Sequence, residues 1–354
     1  MPTGKWVFIA AGVAGVVTAI FRARVQKGAV AVADGNGVGK VVRLPEGIDE
    51  HARDKLFLDR KVAELRAQFG PLLPRSFPKP RRASSGRGSV RFLQFNTLAE
   101  GLSSLPDYGG FIKTPRESLD FHGFRKFRLL DEMLRFEPDI IACEEMDHFD
   151  DFFRPAMKHY GYEGVFFPKL NATTLRFGPQ FFSDGCAFFW RTSAVSLLEH
   201  KTMRYKSVPG PGLWSQVALI GRFEILGPSS TNGPNVFLAA CTHLKAKTGV
   251  ANEFKRTESL KQLLLFMAQM KQDPRENVVV LGDFNTDEAG LDYLTTYKTM
   301  SEHPLGLKSA MKAASTNQEE PQYTTCKIRQ EGHENCHTID YIWVPNSSKV
   351  VSML

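Results

Sequence analysis

From Val90 onward, short apolar runs typical of strands alternate with longer stretches of helical spacing, joined by short connections. The stretch 252–270 is an example of the helical kind, because its leucines recur on one face. Strands that are apolar on both faces, or that alternate, need helices to cover them. The alternation therefore predicts a mixed sheet system covered by helices. Strands are predicted over 90–95, 139–143, 164–167, 185–190, 216–225, 236–242, 278–281 and 338–344, and further helices over 49–69 and 124–136.

An uncharged apolar run, WVFIAAGVAGVVTAIF, occupies residues 6–21 and is followed by a basic flank. As a helix its 16 residues would extend about 24 Å, which is short against a bilayer core of about 30 Å. A secretory signal fits poorly because positive charge follows the run. A short membrane anchor, a mitochondrial presequence and a core helix remain open. We expect residues 1–27 to be an anchor or targeting segment, with membrane contact through 6–21 and a mitochondrial or cytoplasmic location.

Residues 28–88 are rich in Gly, Pro and basic residues, which predicts a linker that contains the helix at 49–69. The folded domain is expected over 89–354. Residues 1–91 carry 17 Lys+Arg against 7 Asp+Glu, whereas residues 92–354 carry 28 against 31. The formal charge of +7 therefore belongs to the N-terminal part. A domain with a net charge of −3 is not typical of a protein that grips a long nucleic-acid backbone.

The chain has five cysteines and no CxxC spacing, so we expect neither a disulfide framework nor a common structural zinc site. The cluster formed by Cys326, His333, Cys336 and His337 fits none of the usual zinc patterns. Cys143, Cys186 and Cys241 lie in apolar runs, where a thiol is a small buried hydrophobe. This cysteine usage favours a reducing compartment.

Polar side chains that can bind a metal stand at the ends of the predicted strands, where a sheet fixes them and loops leave room for a ligand. Each one alone is explained by a turn or a helix cap. Together they form an oxygen-rich, thiol-free set that suits a hard cation such as Mg²⁺. With a histidine and two lysines added, the set is typical of a phosphoester hydrolase. The oxygen-bearing members are Asn96, Glu145, Asp283, Asn285 and Asp340, and the others are His243, Lys169 and Lys247.

The ordered motifs FNTLA, EEMDH, FFPK, DGCAFFW, THLKAKTG, GDFN and TIDYIW resemble those of the endonuclease/exonuclease/phosphatase superfamily, in its deadenylase-related branch, over about residues 90–345. The resemblance implies two mixed β-sheets packed face to face and covered by helices, a four-layer α/β sandwich. It also implies a monomeric, Mg²⁺-dependent enzyme. The implied reaction is removal of the 2′-phosphate of NADP or NADPH to give NAD(H), and the alternative is 3′-exonuclease action on poly(A) RNA.

The resemblance also assigns roles to residues around a metal. It makes Glu145 the principal Mg²⁺ ligand with Asn96 beside it, where Asn96 also contacts substrate. Strand alternation puts Glu144 and Glu145 on opposite faces, so that only one of them reaches the metal. Asp283 would activate or orient the attacking water.

Further roles concern the substrate phosphate and the transition state. Asn285 would hold a phosphate oxygen, and His243 would stabilise the transition state. Lys169 and Lys247 would bind the substrate phosphate. A lysine at position 247, where relatives commonly have arginine, changes a bidentate contact into a point-charge contact.

Asp340 corresponds to the aspartate that supports a catalytic histidine in a terminal Ser-Asp-His motif, and this motif is missing before the sequence ends at Leu354. The domain is therefore expected to lack its C-terminal end and one terminal strand, which leaves an apolar sheet edge exposed. A catalytically inactive nucleotide-binding protein is thus a second alternative.

Overall fold

The computed structural model describes residues 29–33, 39–73, 89–103, 111, 114–227, 235–287, 295–330 and 332–350. The strands are β1 (Ala29–Ala33), β2 (Gly39–Arg43), β3 (Phe92–Asn96), β4 (Ile140–Met146), β5 (Tyr162–Pro168), β6 (Gly185–Arg191), β7 (Val195–Lys206), β8 (Leu213–Ile225), β9 (Val236–His243), β10 (Asn277–Asp283), β11 (Leu307–Ser309), β12 (Thr325–Gln330), β13 (His333–His337) and β14 (Asp340–Pro345). The α-helices are α1 (Lys55–Phe69), α2 (Glu100–Ser103), α3 (Lys126–Leu134), α4 (Arg154–Lys158), α5 (Val250–Met270), α6 (Thr295–Ser301) and α7 (Ala310–Ala314). Short 3₁₀ and π turns precede several of them.

Two large sheets organise the domain. The six-stranded sheet has the order β11-β14-β10-β9-β8-β7, and the four-stranded sheet has the order β3-β4-β6-β5. Within them, β3 pairs with β4 and β9 pairs with β10 in parallel, while the other neighbours are antiparallel. Both sheets are therefore mixed, as predicted.

Three apolar layers hold these sheets and their helices together. Between the sheets, buried residues such as Ala142 and Phe188 pack in one cluster with residues such as Leu219 and Ala239. On the outer face of the four-stranded sheet, a second cluster includes side chains of α1 and α3. On the outer face of the six-stranded sheet, a third cluster includes the leucines of α5. The order helix, sheet, sheet, helix confirms the predicted four-layer α/β sandwich.

Residues 39–73 differ from the linker that the sequence predicts. The main chain of Val41 bonds to Asn171, because its N–H donates to Asn171 Oδ1 at 2.9 Å and its carbonyl accepts from Asn171 N at 3.1 Å. Arg43 exchanges similar bonds with Ser183. Arg66 of α1 pairs with the buried Asp131 of α3. This segment therefore adheres to the domain through main-chain bonds that composition does not reveal.

The structure adds strands that the sequence analysis did not predict. β7 exposes polar and charged side chains, such as those of Lys201 and Lys206, and β12 and β13 form a separate hairpin. In that hairpin, Cys326 and Cys336 face each other and form a disulfide, which the sequence analysis did not anticipate. The other three cysteines are buried thiols, as predicted. β3 is an edge strand, and all five of its residues are half-buried.

In the part of the chain that the structure describes, no helix is both long and apolar enough to cross a bilayer. The apolar run at 6–21 lies outside the described residues.

Candidate active site

Five strand ends meet at one side of the sandwich and bring together most of the polar residues singled out in the sequence. The parallel register of β9 and β10 places His243 beside Asp283, and the antiparallel register of β10 and β14 places Asp283 beside Asp340. Asn96 at the end of β3 and Glu145 at the end of β4 approach from the other sheet. One cavity is lined by all five residues.

Asn96 joins the two sheets at the bottom of this cavity. Its Nδ2 donates to Asp283 Oδ2 at 3.0 Å and to Glu145 Oε1 at 3.2 Å. Its Oδ1 accepts from the main-chain N of Leu98 at 3.0 Å, which fixes the amide orientation. The carboxylate oxygens of Glu145 and Asp283 therefore converge on one side chain.

A β-bulge between Cys143 and Met146 sets the position of Glu145, whose φ is +53°. A non-glycine residue with this backbone conformation is strained, and such strain gathers at functional sites. Glu144 lies on the other side of the strand, fully buried, where it accepts from Gln94 Nε2 at 2.6 Å. Burial raises the pKa of Glu144 well above its ordinary value. Glu145 is thus the member of the pair that faces the cavity.

His243 is held in one tautomer by Lys169. Lys169 Nζ lies 3.2 Å from His243 Nδ1, and since an ammonium only donates, Nδ1 accepts and the ring hydrogen is on Nε2. Burial lowers the pKa of His243 well below its ordinary value, and the charge of Lys169 lowers it further. His243 is therefore neutral, with its Nε2 3.7 Å from Asp283 Oδ2.

Lys169 is a buried cation with a buried partner. Its Nζ donates to Asp184 Oδ2, and Asp184 belongs to the DGCAFFW motif. Burial opposes the charge on Lys169, but the charges of Asp184 and Glu145 and the hydrogen bond to Asp184 together outweigh it, so that the pKa of Lys169 is raised. The sequence analysis missed Asp184, although its place directly before a buried strand was visible. Lys169 thus brings a fixed positive charge to the cavity rather than a flexible one.

The carboxyl of Asp283 has a strongly raised pKa. Burial, and next the charges of Asp340 and Glu145, raise the pKa of Asp283 to about 8. Carboxylates this close ionise together only when a cation offsets their repulsion. Oxygen donors of this kind are the ligands that a hard divalent cation prefers. The residues present therefore fit such an ion, with Glu145 placed to hold it beside Asp283. Asn96, predicted as a second ligand, presents its Nδ2 donor to both carboxylates and so positions them instead.

The GDFN loop owes its shape to two residues. A Cβ on Gly282 would lie 2.0 Å from the carbonyl oxygen of Thr242, so only glycine permits the close pairing of β9 and β10 here. Asn285 has a φ of +51°, its main-chain N donates to Asp283 Oδ1 at 2.9 Å, and its Nδ2 donates to Leu244 O at 3.1 Å. One amide hydrogen of Asn285 is used in this way, and its side chain also lines the cavity.

Asp340 has partners other than the histidine that the resemblance implies. Its Oδ2 accepts from Thr324 Oγ1 at 2.8 Å, and its Oδ1 accepts from Gln94 Nε2 at 3.2 Å. Gln94 also binds Glu144, so the three side chains form one chain of hydrogen bonds. The sequence analysis missed Gln94 and Thr324, because polar residues inside a strand or loop carry no motif.

The predicted phosphate ligand Lys247 lies at the rim rather than at the bottom of the cavity. It is exposed on the loop after β9, with a φ of +76°. Arg256 of α5 donates to the carbonyl oxygens of Lys245 and Lys247, each at 2.8 Å, and so anchors this loop. The rim also includes Lys327 and Arg176, which the sequence analysis did not select. Cations on three separate segments of the chain therefore line the cavity that holds the carboxylate cluster.

The model of the endonuclease/exonuclease/phosphatase family matches residues 124–354. Nocturnin of Mus musculus is 34% identical over 261 residues, which cover 73% of this chain and 57% of the relative. The Ccr4 exoribonuclease subunit of Debaryomyces hansenii is 30% identical over 137 residues, which cover 38% of this chain and 16% of the relative. The chain thus spans less than two thirds of the length of these curated relatives.

Among solved structures, the human nocturnin catalytic domain with bound sulfate is 31% identical and superposes with a TM-score of 0.58. The superposition covers 73% of this chain and 82% of that one. Members of the endonuclease/exonuclease/phosphatase family are hydrolases, and the family model covers more than half of this sequence. The chain therefore belongs to the endonuclease/exonuclease/phosphatase family and is similar to nocturnin.

Proposed function

We propose that this chain is a Mg²⁺-dependent phosphohydrolase that removes the 2′-phosphate of NADP or NADPH. The observation that carries the proposal is the pairing of a carboxylate cluster with the neutral His243 and the buried Lys169 in one cavity. This arrangement holds one phosphate group between anionic and cationic side chains. The similar human domain binds a sulfate, an anion of the same shape and charge class as a phosphate.

In the proposed mechanism, Glu145 would hold the cation while Asn96 orients the carboxylates, and the cation would offset phosphate charge when bound. Asp283 orients the attacking water and accepts its proton in the ionised form, which a bound cation would favour. His243 donates a hydrogen bond from its Nε2–H to a phosphate oxygen as negative charge develops there.

Binding of the phosphate is assigned to cationic and amide groups around the same cavity. Lys169 supplies a fixed charge, and Asn285 contacts a phosphate oxygen. Lys247 adds a solvent-exposed contact at the rim. Because the exposed contact is screened by salt and the buried charge is not, Lys169 contributes more specificity than Lys247.

A small phosphorylated nucleotide fits the domain better than a long RNA does. Residues 92–354 carry 28 Lys+Arg against 31 Asp+Glu, and a domain with this balance is not typical of a protein that binds a long nucleic-acid backbone. Hydrolysis of poly(A) from its 3′ end is the second candidate, and the similarity to a Ccr4 exoribonuclease subunit favours it.

The deciding experiment compares release of inorganic phosphate from NADPH with shortening of an A-tailed RNA, both in Mg²⁺ and in chelator. We expect phosphate release in Mg²⁺ only, and none from the Glu145→Gln variant. Shortening of RNA without phosphate release would reverse the ranking. Binding of NADPH without turnover of either substrate would identify an inactive nucleotide-binding protein.

A further inference from the structure

A second group of metal-capable side chains lies outside the cavity, formed by Glu100, His122 and His148. Their ligand atoms all lie within 4.8 Å of one another. Glu100 Oε2 is 3.0 Å from His148 Nε2, and Glu100 Oε1 is 3.6 Å from His122 Nε2. Ligand atoms at about 2.0–2.1 Å from a tetrahedral Zn²⁺ are separated by about 3.3 Å, so each histidine lies at about that spacing from one oxygen of the Glu100 carboxylate.

The buried histidine of this group is oriented as metal-binding histidines are. His148 has 2% side-chain exposure, and its Nδ1 lies 2.7 Å from Asp151 Oδ2. Its ring stacks on Phe121 with centroids 4.2 Å apart. Histidines that bind metals usually donate their other N–H to a carboxylate, which fixes the ring and makes the ligating nitrogen more basic. Asp151 is placed for this supporting role.

We propose that Glu100, His122 and His148 bind a divalent transition metal of the zinc class. Two imidazole nitrogens and one carboxylate favour Zn²⁺, Co²⁺ or Ni²⁺ over Mg²⁺, which prefers oxygen ligands. His122 has 62% side-chain exposure, so an ion reaches the group from solvent and a water completes its coordination. Without this ion, His148 Nε2 carries a hydrogen and donates a hydrogen bond to Glu100. When the ion binds, it takes the place of this proton, which is released to solvent.

This ion would connect the two segments that carry Asn96 and Glu145. The main-chain N of Glu100 donates to Asp147 Oδ2 at 2.6 Å, and the N of Ala99 lies 3.4 Å from Glu145 Oε2. Binding at Glu100 and His148 would therefore hold the loop after β3 against the loop after β4. The site is structural in role, and it is separate from the cation site proposed at Glu145.

The test is titration of the folded, full-length chain with Co²⁺ in millimolar Mg²⁺, so that Mg²⁺ fills the carboxylate cluster. We expect one Co²⁺ per chain, the visible absorption bands of a tetrahedral ion, loss of the bands on adding Zn²⁺, and a higher melting temperature. Failure of Co²⁺ and Zn²⁺ to bind, with an unchanged melting temperature, would show that His148 only forms ion pairs with its carboxylates.

Variants separate this site from other ligands. His122→Asn removes an exposed ligand and should abolish the bands without unfolding the chain, whereas His200→Asn, at an exposed position of β7, should leave them intact. Asp151→Asn should weaken binding by about 10–100-fold, as the loss of a supporting carboxylate usually does. Retention of the bands in His122→Asn would place the ion elsewhere and overturn the proposal.

Discussion

Asp283 and Asp340 lie directly opposite each other in the antiparallel pairing of β10 with β14. Both side chains are on the face where the cavity opens, and Glu145 approaches from the other sheet. The pKa of Asp283 is raised to about 8, first by burial and then by these two charges, from an ordinary value of 3.8. In the folded protein these carboxylates therefore repel one another, and either a proton or a bound cation relieves the repulsion.

This repulsion between carboxylates makes the stability of the metal-free protein depend on pH. Between about pH 4 and pH 8 the folded state holds a proton on Asp283 that the unfolded state has released, so the free energy of unfolding falls as pH rises through this window. A divalent cation prefers the ionised carboxylate and should remove most of the fall. The measurement is thermal unfolding at pH 5.5 and 8.5, in chelator and in Mg²⁺.

Asp283→Asn is the matched control because the amide keeps the shape and cannot titrate. Its melting temperature in chelator should change less between the two pH values than that of the parent chain. Equal pH dependence in both proteins would assign the effect to other groups, such as Glu144, and would contradict the role given to Asp283.

Glu145→Gln should lower metal-dependent turnover by about 100-fold or more while the fold stays intact. The amide is isosteric, but it carries no charge to hold a cation, and the loss of several kcal/mol of charge stabilisation corresponds to that factor. The checks are the initial rate against Mg²⁺ concentration and the melting temperature in chelator. Turnover at the parent rate in saturating Mg²⁺ would remove Glu145 from the metal site.

Asp184→Asn should destabilise the protein and also weaken substrate binding. It leaves Lys169 as a buried cation without its carboxylate partner, a change that typically costs about 3–5 kcal/mol. The pair formed by Arg222 and Glu276 has similar burial and serves as a control, because neither residue lies in the candidate site. Glu276→Gln should cost comparable stability and leave the Kd for NADP⁺ unchanged at a temperature where both variants are folded. A similar loss of affinity in both variants would make the role of Asp184 structural only.

Lys247→Ala should weaken NADP⁺ binding by up to about 10–100-fold at low salt, because a hydrogen bond to a charged group contributes about 1.5–3 kcal/mol. Since Lys247 is exposed, the difference from the parent chain should shrink as salt is added. Calorimetry at two ionic strengths measures both effects, with Lys261→Ala on the exposed face of α5 as the control. An affinity that does not change at either salt concentration would exclude Lys247 from substrate contact.

The sequence was sufficient to predict strands that end in polar residues, because an apolar run followed by Asn, Asp or His is visible without the fold. It could not predict that Asp283 and Asp340 share a register, since register depends on which strands pair. The bulge that directs Glu145 into the cavity, and the bonds of Gln94 to two carboxyls, likewise depend on packing. The hairpin at 29–43 was missed because short Gly- and Val-rich strands are composed like a linker.

The N-terminal segment gives the last prediction, which rests on the sequence at 1–27 and on the contacts made at 39–43. Deletion of residues 1–27 should move the protein from a membrane or mitochondrial fraction to a supernatant fraction, because it removes the apolar run and its basic flank. Thermal stability should hardly change, since the contacts of Val41 with Asn171 and of Arg43 with Ser183 remain. Deletion of residues 1–48 removes those contacts as well, and should lower the melting temperature by several degrees. Fractionation and melting of both deletions decide the question. An unchanged distribution with a lower melting temperature after deletion of 1–27 alone would show that the apolar run is a core helix.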